Sequence, residues 1–314
     1  MNTNMTKVLK KTTIFWVLVL MIVVMSFLSP AFLSARNIAN IVKQISINGI
    51  LAIGMTMVLI TGGIDLSVGS VVALSSIVAA YFGTEASGYP AAAAVLMAVI
   101  TGVIVGLFNG IGVAYIGYPP FIITLSTMTI VRGLALIVTN GVPVFGLSDA
   151  MINLANGTLF HIPNMVYYLL AVFAVGMAIL NLTVFGRRLY AVGGNMEAAN
   201  ASGIHVKRVI TAAYCLSGFC AGLAGALAAS RITSGNPTTG DGYETNAISA
   251  AVIGGVSMSG GKGGLMGTLI GALIIGVMQN SLDILGISSY YQKVIQGLII
   301  LIAVFFDLRS SKNS

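Results

Sequence analysis

The chain has 314 residues and a formal net charge of +7, and 57% of its residues are hydrophobic while only 7% are charged. A soluble domain carries about 25% charged residues to cover its surface, so this composition excludes a water-soluble globular protein. The basic residues are scattered between apolar runs, which argues against nucleic-acid binding. We therefore expect the chain to lie mostly in a lipid bilayer, where its 38 glycines favour close helix packing.

Ten apolar segments follow one another along the chain. A helix of about 20 apolar residues crosses a hydrocarbon core of about 30 Å, and shorter segments need tilt or burial. We predict an all-α integral membrane protein with about ten transmembrane helices, forming one transmembrane domain over residues 1–314. The predicted spans are 14–28, 44–61, 66–82, 91–116, 119–139, 165–185, 209–230, 246–261, 263–282 and 288–306.

The basic residues predict the orientation of these helices, because positively charged loops stay in the cytoplasm. The predicted cytoplasmic set is Lys7, Lys10, Lys11, Arg187, Arg188, Lys207, Arg208, Lys262, Arg309 and Lys312, and the smaller external set is Arg36, Lys43, Arg231 and Lys293. Both termini are then cytoplasmic, residues 186–208 form a cytoplasmic loop, and residues 140–164 and 231–245 form external loops. A cleaved signal in place of the first span would disturb this charge bias, so we expect an uncleaved helix.

The sequence shows no catalytic or nucleotide-binding motif. The nearest match to a phosphate-binding loop, residues 255–263, has the wrong spacing and ends in Gly263 where Ser or Thr is required. No Ser, His and Asp set and no His-Glu-x-x-His pair lies on one side of the membrane. We predict that the chain has no catalytic residues, is not an enzyme, and binds no metal or cofactor.

Two charged residues within apolar surroundings have open roles. Asp65, between the second and third spans, suits either a proton or cation ligand of an ion-driven carrier or a carboxylate that caps a helix start. Arg132, the charged residue deepest in a span, is compatible with snorkelling outward, pairing with a carboxylate or lining a wet path.

Small residues recur at intervals of four and predict close helix contacts. They are Gly102, Gly106 and Gly110; Gly218 and Gly222; and Gly263, Gly267 and Gly271.

The cytoplasmic segment 186–208 has the pattern of a docking helix. Gly193, Gly194 and Asn195 predict a turn and a helix start, residues 197–202 a short alanine-rich helix, and Gly203 its end. The small uncharged side chains would let a partner pack closely, while the flanking basic residues hold the segment at the membrane surface.

Three segments carry a resemblance to a known family. Segment 186–208, the run Gly54-Met-Thr…Thr61-Gly-Gly-Ile-Asp-Leu-Ser-Val-Gly-Ser70, and Ile253-Gly-Gly-Val-Ser-Met-Ser-Gly-Gly-Lys-Gly263 resemble the ribose-type ABC permeases. The end Ser288-Ser-Tyr-Tyr-Gln292 is also similar. The resemblance covers nearly the whole chain, and branched-chain amino acid permeases are a more distant match.

The resemblance implies a type II ABC importer fold in a bacterial inner membrane. It implies three protein partners: a second copy of the chain, a cytoplasmic ATPase that binds ATP and Mg, and an external periplasmic-type sugar-binding protein. It assigns coupling to the ATPase to Arg187, Arg188, Gly193, Gly194, Asn195, Glu197, Ala198, Ala199, Ser202, Gly203 and Ile204. It places Asp149, Asp241 and Glu244 in the loops that face the binding protein.

The expected function is therefore that of a permease subunit that imports a monosaccharide, foremost ribose, by alternating access. Neutral amides and hydroxyls are candidates for its translocation path, with interhelical hydrogen bonds as the alternative role: Asn48, Thr56, Asn109, Thr124, Ser126, Gln279 and Asn280. Another pentose or hexose, an inositol or a furanone-type signal is an alternative cargo. An ion-coupled carrier is disfavoured by the scarcity of membrane carboxylates, and a purely structural subunit by the docking segment.

Overall fold

The computed structural model describes the backbone of residues 3–312 and the side chains of residues 14–299, 301 and 305. The basic side chains Lys7, Lys10, Lys11, Arg309 and Lys312, which contribute to the predicted orientation, lie outside the described side chains. The helices are α1 (Thr3–Leu28), α2 (Ala35–Ile60), α3 (Val68–Gly83), α4 (Ala91–Ile111), α5 (Pro120–Thr139), α6 (Asp149–Asn156), α7 (Asn164–Leu182), α8 (Val184–Gly194), α9 (Met196–Ala201), α10 (Val206–Ile232), α11 (Tyr243–Ile253), α12 (Leu265–Ile284) and α13 (Ser289–Lys312).

Each predicted span overlaps one of these helices, but the helices differ in whether they are long enough to cross a membrane. Within the described residues, six helical segments are long and apolar enough to cross a membrane: Ala35–Ile60, Ala91–Ile116, Pro120–Thr139, Asn164–Leu182, Val206–Ile232 and Leu265–Ile284. Two shorter apolar segments are Ile14–Leu28 and Val68–Gly83. α11 ends at Ile253 after 11 residues, so it rises about 17 Å and does not continue to residue 261 as predicted.

α2 and α10 form the centre of the bundle. Every residue from Ile45 to Ile60 is buried, and α2 packs against α7, α10, α11 and α12. α10 in turn packs against α3 and α4. Large apolar side chains, such as Trp16 and Leu96, are exposed on the outer helices. An apolar exterior around a helical core fits a bundle that is solvated by lipid.

The glycines at intervals of four make the predicted close contacts. On α4, a side-chain carbon at Gly102 or Gly106 would collide with the backbone of α10 at Gly218 or Tyr214. On α12, Gly267 lies against the backbone of Gly254 in the same way. Contact between backbones, rather than between side chains, therefore brings these helices together.

The two predicted external loops are joined to each other. Val144 and Gly235 exchange backbone hydrogen bonds of 2.8 and 2.9 Å, and the backbone amide of Ala155 on α6 donates to Ser230 Oγ at 2.8 Å. The first loop also contains β1 (Thr158–Leu159) and β2 (Ile162–Pro163), an antiparallel pair in which Thr158 lies opposite Pro163. These contacts join residues 140–164 and 231–245 into one cap at an end of the bundle.

Candidate functional site

The short helix that the sequence predicts within segment 186–208 is present as α9, between α8 and α10. The Asn195 side chain caps it by accepting a 2.9 Å hydrogen bond from the amide of Ala198, and Gly203 follows it with a φ of +80°. This left-handed conformation suits glycine, as the sequence predicted. Most of the predicted coupling residues are exposed: Arg187, Arg188, Gly194, Asn195, Glu197, Ala198, Ser202 and Gly203. Ala199 is buried, and Gly193 and Ile204 are half-buried.

The end of α8 meets two other segments at what we call the glycine junction, formed by Ile60, Gly62, Gly193, Gly260 and Gly261. A side-chain carbon at Gly193 would collide with the carbonyl oxygen of Ile60, and Gly260 lies close to the backbones of Gly62 and Gly193. The amide of Gly261 donates a 2.9 Å hydrogen bond to the Ile60 carbonyl. The three segments that resemble the ribose-type permeases therefore touch through their backbones.

Tyr190 ties α8 to the same region. Its hydroxyl donates a 3.0 Å hydrogen bond to the carbonyl oxygen of Gly263. Burial raises the pKa of Tyr190 above its ordinary value, so the hydroxyl keeps the proton that it donates. The docking segment is thus connected to the α11–α12 loop by a side chain as well as by the glycine junction.

Asp65 lies buried at the break between α2 and α3, where it joins several helices. Its Oδ1 accepts hydrogen bonds from the amide of Ser67 at 3.1 Å and from Ser67 Oγ at 2.6 Å. Its Oδ2 accepts a 2.8 Å bond from Ser217 Oγ on α10. Asn109 on α4 donates to Ser67 Oγ at 2.8 Å and accepts from Thr127 on α5 at 2.7 Å. These contacts favour the structural role over an ion ligand.

Five amide side chains from four helices form a second polar network, the amide cluster: Gln44, Asn48, Asn246, Gln279 and Gln296. Gln279 on α12 is its centre, accepting from Gln44 at 2.9 Å and Asn48 at 3.3 Å and donating to Asn246 at 2.9 Å. Gln296 on α13 donates to the same Asn246 oxygen at 3.0 Å. Asn48 Oδ1 is buried and has no hydrogen-bond partner among the described residues.

The candidate path residues fall into separate places. Asn48 and Gln279 belong to the amide cluster, and neighbouring Asn280 pairs with Asn37 in reciprocal bonds of 2.8 and 3.0 Å. Thr56 Oγ1 lies 2.7 Å from Thr268 Oγ1 between α2 and α12. The others lie elsewhere: Asn109 in the Asp65 network, Thr124 bonded to its own helix at Pro120, and Ser126 exposed. The seven residues therefore occupy separate places within the described chain.

The predicted docking carboxylates differ in exposure. Asp149 is exposed in the first turn of α6. Asp241 forms a 3.0 Å ion pair with Lys293, and both side chains are 69% exposed. Glu244 is half-buried, and its carboxylate lies against Gly69.

Arg132 anchors the second of the two predicted external loops. Its Nη1 donates hydrogen bonds of 2.6 Å to the carbonyl oxygen of Pro237 and 2.9 Å to that of Thr239. The guanidinium therefore holds the segment between α10 and α11 against α5. This anchoring of backbone carbonyls differs from the three roles considered from the sequence, which were snorkelling, pairing with a carboxylate and lining a wet path.

Several residues of these networks are absent from the sequence prediction. Ser217 and Tyr214 on α10 contact the Asp65 break, since Tyr214 donates a 3.0 Å bond to the carbonyl of Ile64. Gln44 is recognisable in retrospect, because it lies four residues before Asn48 and therefore on the same helix face. Asn246 and Gln296 carry no comparable local signal.

Comparison with known proteins places these features in a family. Residues 37–304 match the family described as branched-chain amino acid transport system / permease component. The ribose import permease protein RbsC of Bacillus subtilis is 44% identical over 306 residues, 97% of this chain and 94% of that protein. RbsC of Escherichia coli K12 is 43% identical over 92% of this chain and 91% of its own length. The D-allose transport system permease protein AlsC of Escherichia coli K12 is 39% identical over 95% and 91%. No solved structure gave a significant match.

The chain therefore belongs to the family of branched-chain amino acid transport system permease components, a class of multi-pass membrane transport subunits. The sequence resemblance to the ribose-type ABC permeases is confirmed by the two RbsC proteins. Members of this class are transport subunits and not enzymes, as the sequence predicted.

Proposed function

We propose that this chain is the membrane-spanning subunit of an ATP-driven importer that brings ribose across a bacterial inner membrane. The observation that carries the cargo assignment is the similarity, over more than nine tenths of the chain, to two proteins named ribose import permeases. A bundle interior with few charges supports it, because a neutral polyol crosses without stranding a charge.

The proposed topology has ten membrane-embedded helices, α1 to α5, α7 and α10 to α13, with both termini in the cytoplasm. α11 enters only part of the bilayer because it is too short to cross. α9 and the glycine junction then face the cytoplasm, while the cap of residues 140–164 and 231–245 faces outward. The basic loop at 186–208 supports this orientation.

In the proposed mechanism, a cytoplasmic ATPase that binds ATP and Mg docks on α9. Closure of the ATPase displaces α9, and the backbone contacts of the glycine junction carry the displacement to the end of α2 and to the α11–α12 loop. A second copy of the chain completes the path. A sugar-binding protein docks on the outward cap, where Asp149 and Asp241 present exposed carboxylates.

We place the amide cluster on the path of the sugar. Its members bond to each other across four helices, so sugar hydroxyls can replace these bonds as the helices separate. The unpaired buried oxygen of Asn48 supports this placement, because such a group accepts a hydrogen bond at no loss of an existing one.

The test is sugar-stimulated ATP hydrolysis by the chain reconstituted in liposomes with its ATPase and binding protein. Ribose, allose, galactose, xylose and inositol are compared, with omission of the binding protein as the control. Stimulation by ribose above the other sugars supports the assignment. Stimulation by allose alone would favour the second candidate, a D-allose importer, which the 39% identity to AlsC makes the leading alternative. Uptake by the purified chain without the ATPase would contradict both.

A further inference from the structure

A groove of about 620 Å³ lies on the outer surface of the bundle, where the segment after α4, the junction of α7 with α8, and the beginning of α10 meet. Its lining is mainly apolar and aromatic, with one charged residue, and includes Tyr115, Ile179, Phe185, Cys215, Leu216 and Arg208. None of the lining residues belongs to the amide cluster, whose members lie on α2, α11, α12 and α13.

The two threonines in this lining have their hydroxyl donors engaged. Thr183 Oγ1 donates to the carbonyl of Ile179 at 2.6 Å, and Thr211 Oγ1 donates to the carbonyl of Lys207 at 2.9 Å. The threonines therefore offer no free hydroxyl donor for a sugar, and the phenol of Tyr115 is the one other hydroxyl of the lining. An apolar wall of this kind is suited to a hydrocarbon chain.

The mouth of the groove is positively charged. Arg208 is exposed, and within the described part of the chain its guanidinium has neither a hydrogen bond nor an ion pair. The ammonium of neighbouring Lys207 lies 5.4 Å from the centre of the Tyr115 ring, which lines the groove. The one salt bridge among the described residues, Lys293 with Asp241, lies in the opposite cap. No carboxylate of the described residues forms a salt bridge with Arg208 or Lys207.

We propose that this groove binds an anionic phospholipid, with an acyl chain along the apolar wall and the phosphate at Arg208, assisted by Lys207. Charge complementarity selects the headgroup, because basic pockets between membrane helices attract anionic lipids. The acyl chain of a zwitterionic lipid can lie along the same wall, but the positive charge beside its phosphate weakens the attraction to Arg208. The site is independent of the transported sugar.

The experiment uses tryptophan fluorescence, since Trp16 is the single tryptophan of the chain. In a Trp16→Phe background, Phe185→Trp puts a fluorescent reporter in the groove by a conservative change. Two vesicle preparations are compared, one with brominated phosphatidylglycerol and one with the same fraction of brominated phosphatidylcholine. We expect the reporter to be quenched with about fivefold higher apparent affinity by the anionic lipid. Arg208→Gln should bring the ratio close to one, whereas Arg208→Lys should keep most of the preference.

Two controls separate this site from bulk lipid and from free phosphate. The first control is Leu170→Trp, which replaces an exposed side chain on α7. Both lipids should quench this reporter equally, whether residue 208 is Arg or Gln. Free glycerol phosphate should leave the Phe185→Trp signal unchanged, because it lacks the acyl chain. Equal quenching of Phe185→Trp by both lipids, or a preference that survives Arg208→Gln in protein that elutes as a single species, would overturn the proposal.

Discussion

The amide of Gly261 donates a 2.9 Å hydrogen bond to the carbonyl oxygen of Ile60, and this bond joins the α11–α12 loop to the end of α2. Gly193, the second-last residue of α8, packs directly against both groups. The end of α8, which leads into the exposed helix α9, therefore packs against a hydrogen bond between two other segments of the bundle. In the proposed importer, this is the contact through which an ATPase can act on the helices.

Gly193→Ala tests whether this close packing matters. The added carbon would overlap the Ile60 carbonyl and lie 2.6 Å from the amide of Gly261, whereas nothing lies within 4 Å of a carbon added at Gly194. Overpacking of this kind costs about 1–3 kcal/mol. We expect Gly193→Ala to lower the thermal unfolding midpoint of the detergent-solubilised protein, and Gly194→Ala to leave it within error. Equal midpoints for the two variants would argue that the junction is loosely packed.

Gly203→Trp tests the assignment of α9 as the site of ATPase docking. Gly203 and Gly88 both have left-handed backbones, with φ of +80° and +68°, and both have open space around them. The two tryptophan variants thus introduce similar local strain at opposite ends of the proposed topology. Gly203→Trp should abolish sugar uptake while membrane insertion is retained, and Gly88→Trp should retain both. Normal sugar uptake by the Gly203→Trp variant would show that α9 does not take part in coupling to the ATPase.

Gln296→Ala tests whether the amide cluster lies on the sugar path. Gln296 donates to Asn246 in the cluster, while Gln292, one turn earlier on α13, donates to Asp283 instead. Loss of one hydrogen-bonding group for the sugar should slow ribose uptake about tenfold. ATP hydrolysis stimulated by the binding protein should persist, because the coupling segment is untouched. Gln292→Ala is the matched control, and an unchanged uptake rate in both variants would place the path elsewhere.

Arg132→Met tests the anchoring of the segment between α10 and α11, the second of the two predicted external loops. The change removes the hydrogen bonds to Pro237 and Thr239, each of which carries a charged donor and contributes about 1.5–3 kcal/mol. The segment between α10 and α11 should then be cleaved several-fold faster by proteinase K in sealed, outward-facing vesicles. Arg36→Met, at an exposed position in the first turn of α2, should leave the cleavage rate unchanged. Similar rates for both variants would show that other contacts hold the loop.

Local signals account for the parts of the fold that the sequence predicts well. The break at Asp65 and the two ends of α9 follow from residues that act on their own neighbours, such as the Asn195 cap and the left-handed Gly203. The glycine spacing on α4 likewise predicts a close contact, although not that α10 supplies it. The predicted span 246–261 is too long, because α11 ends at Ile253. Hydropathy, which is also a local signal, does not distinguish this short helix from the glycine turn that follows it.

The polar networks depend on residues that are far apart along the chain. Gln44 and Gln279 meet across 235 positions, and Arg132 and Thr239 across 107, so neither pairing leaves a local pattern. Composition and periodicity alone determine that this is a helical membrane protein, because solvation by lipid acts on every segment separately. Packing decides which polar groups face one another, because each buried amide or guanidinium must find its partner wherever the folded helices bring one within reach.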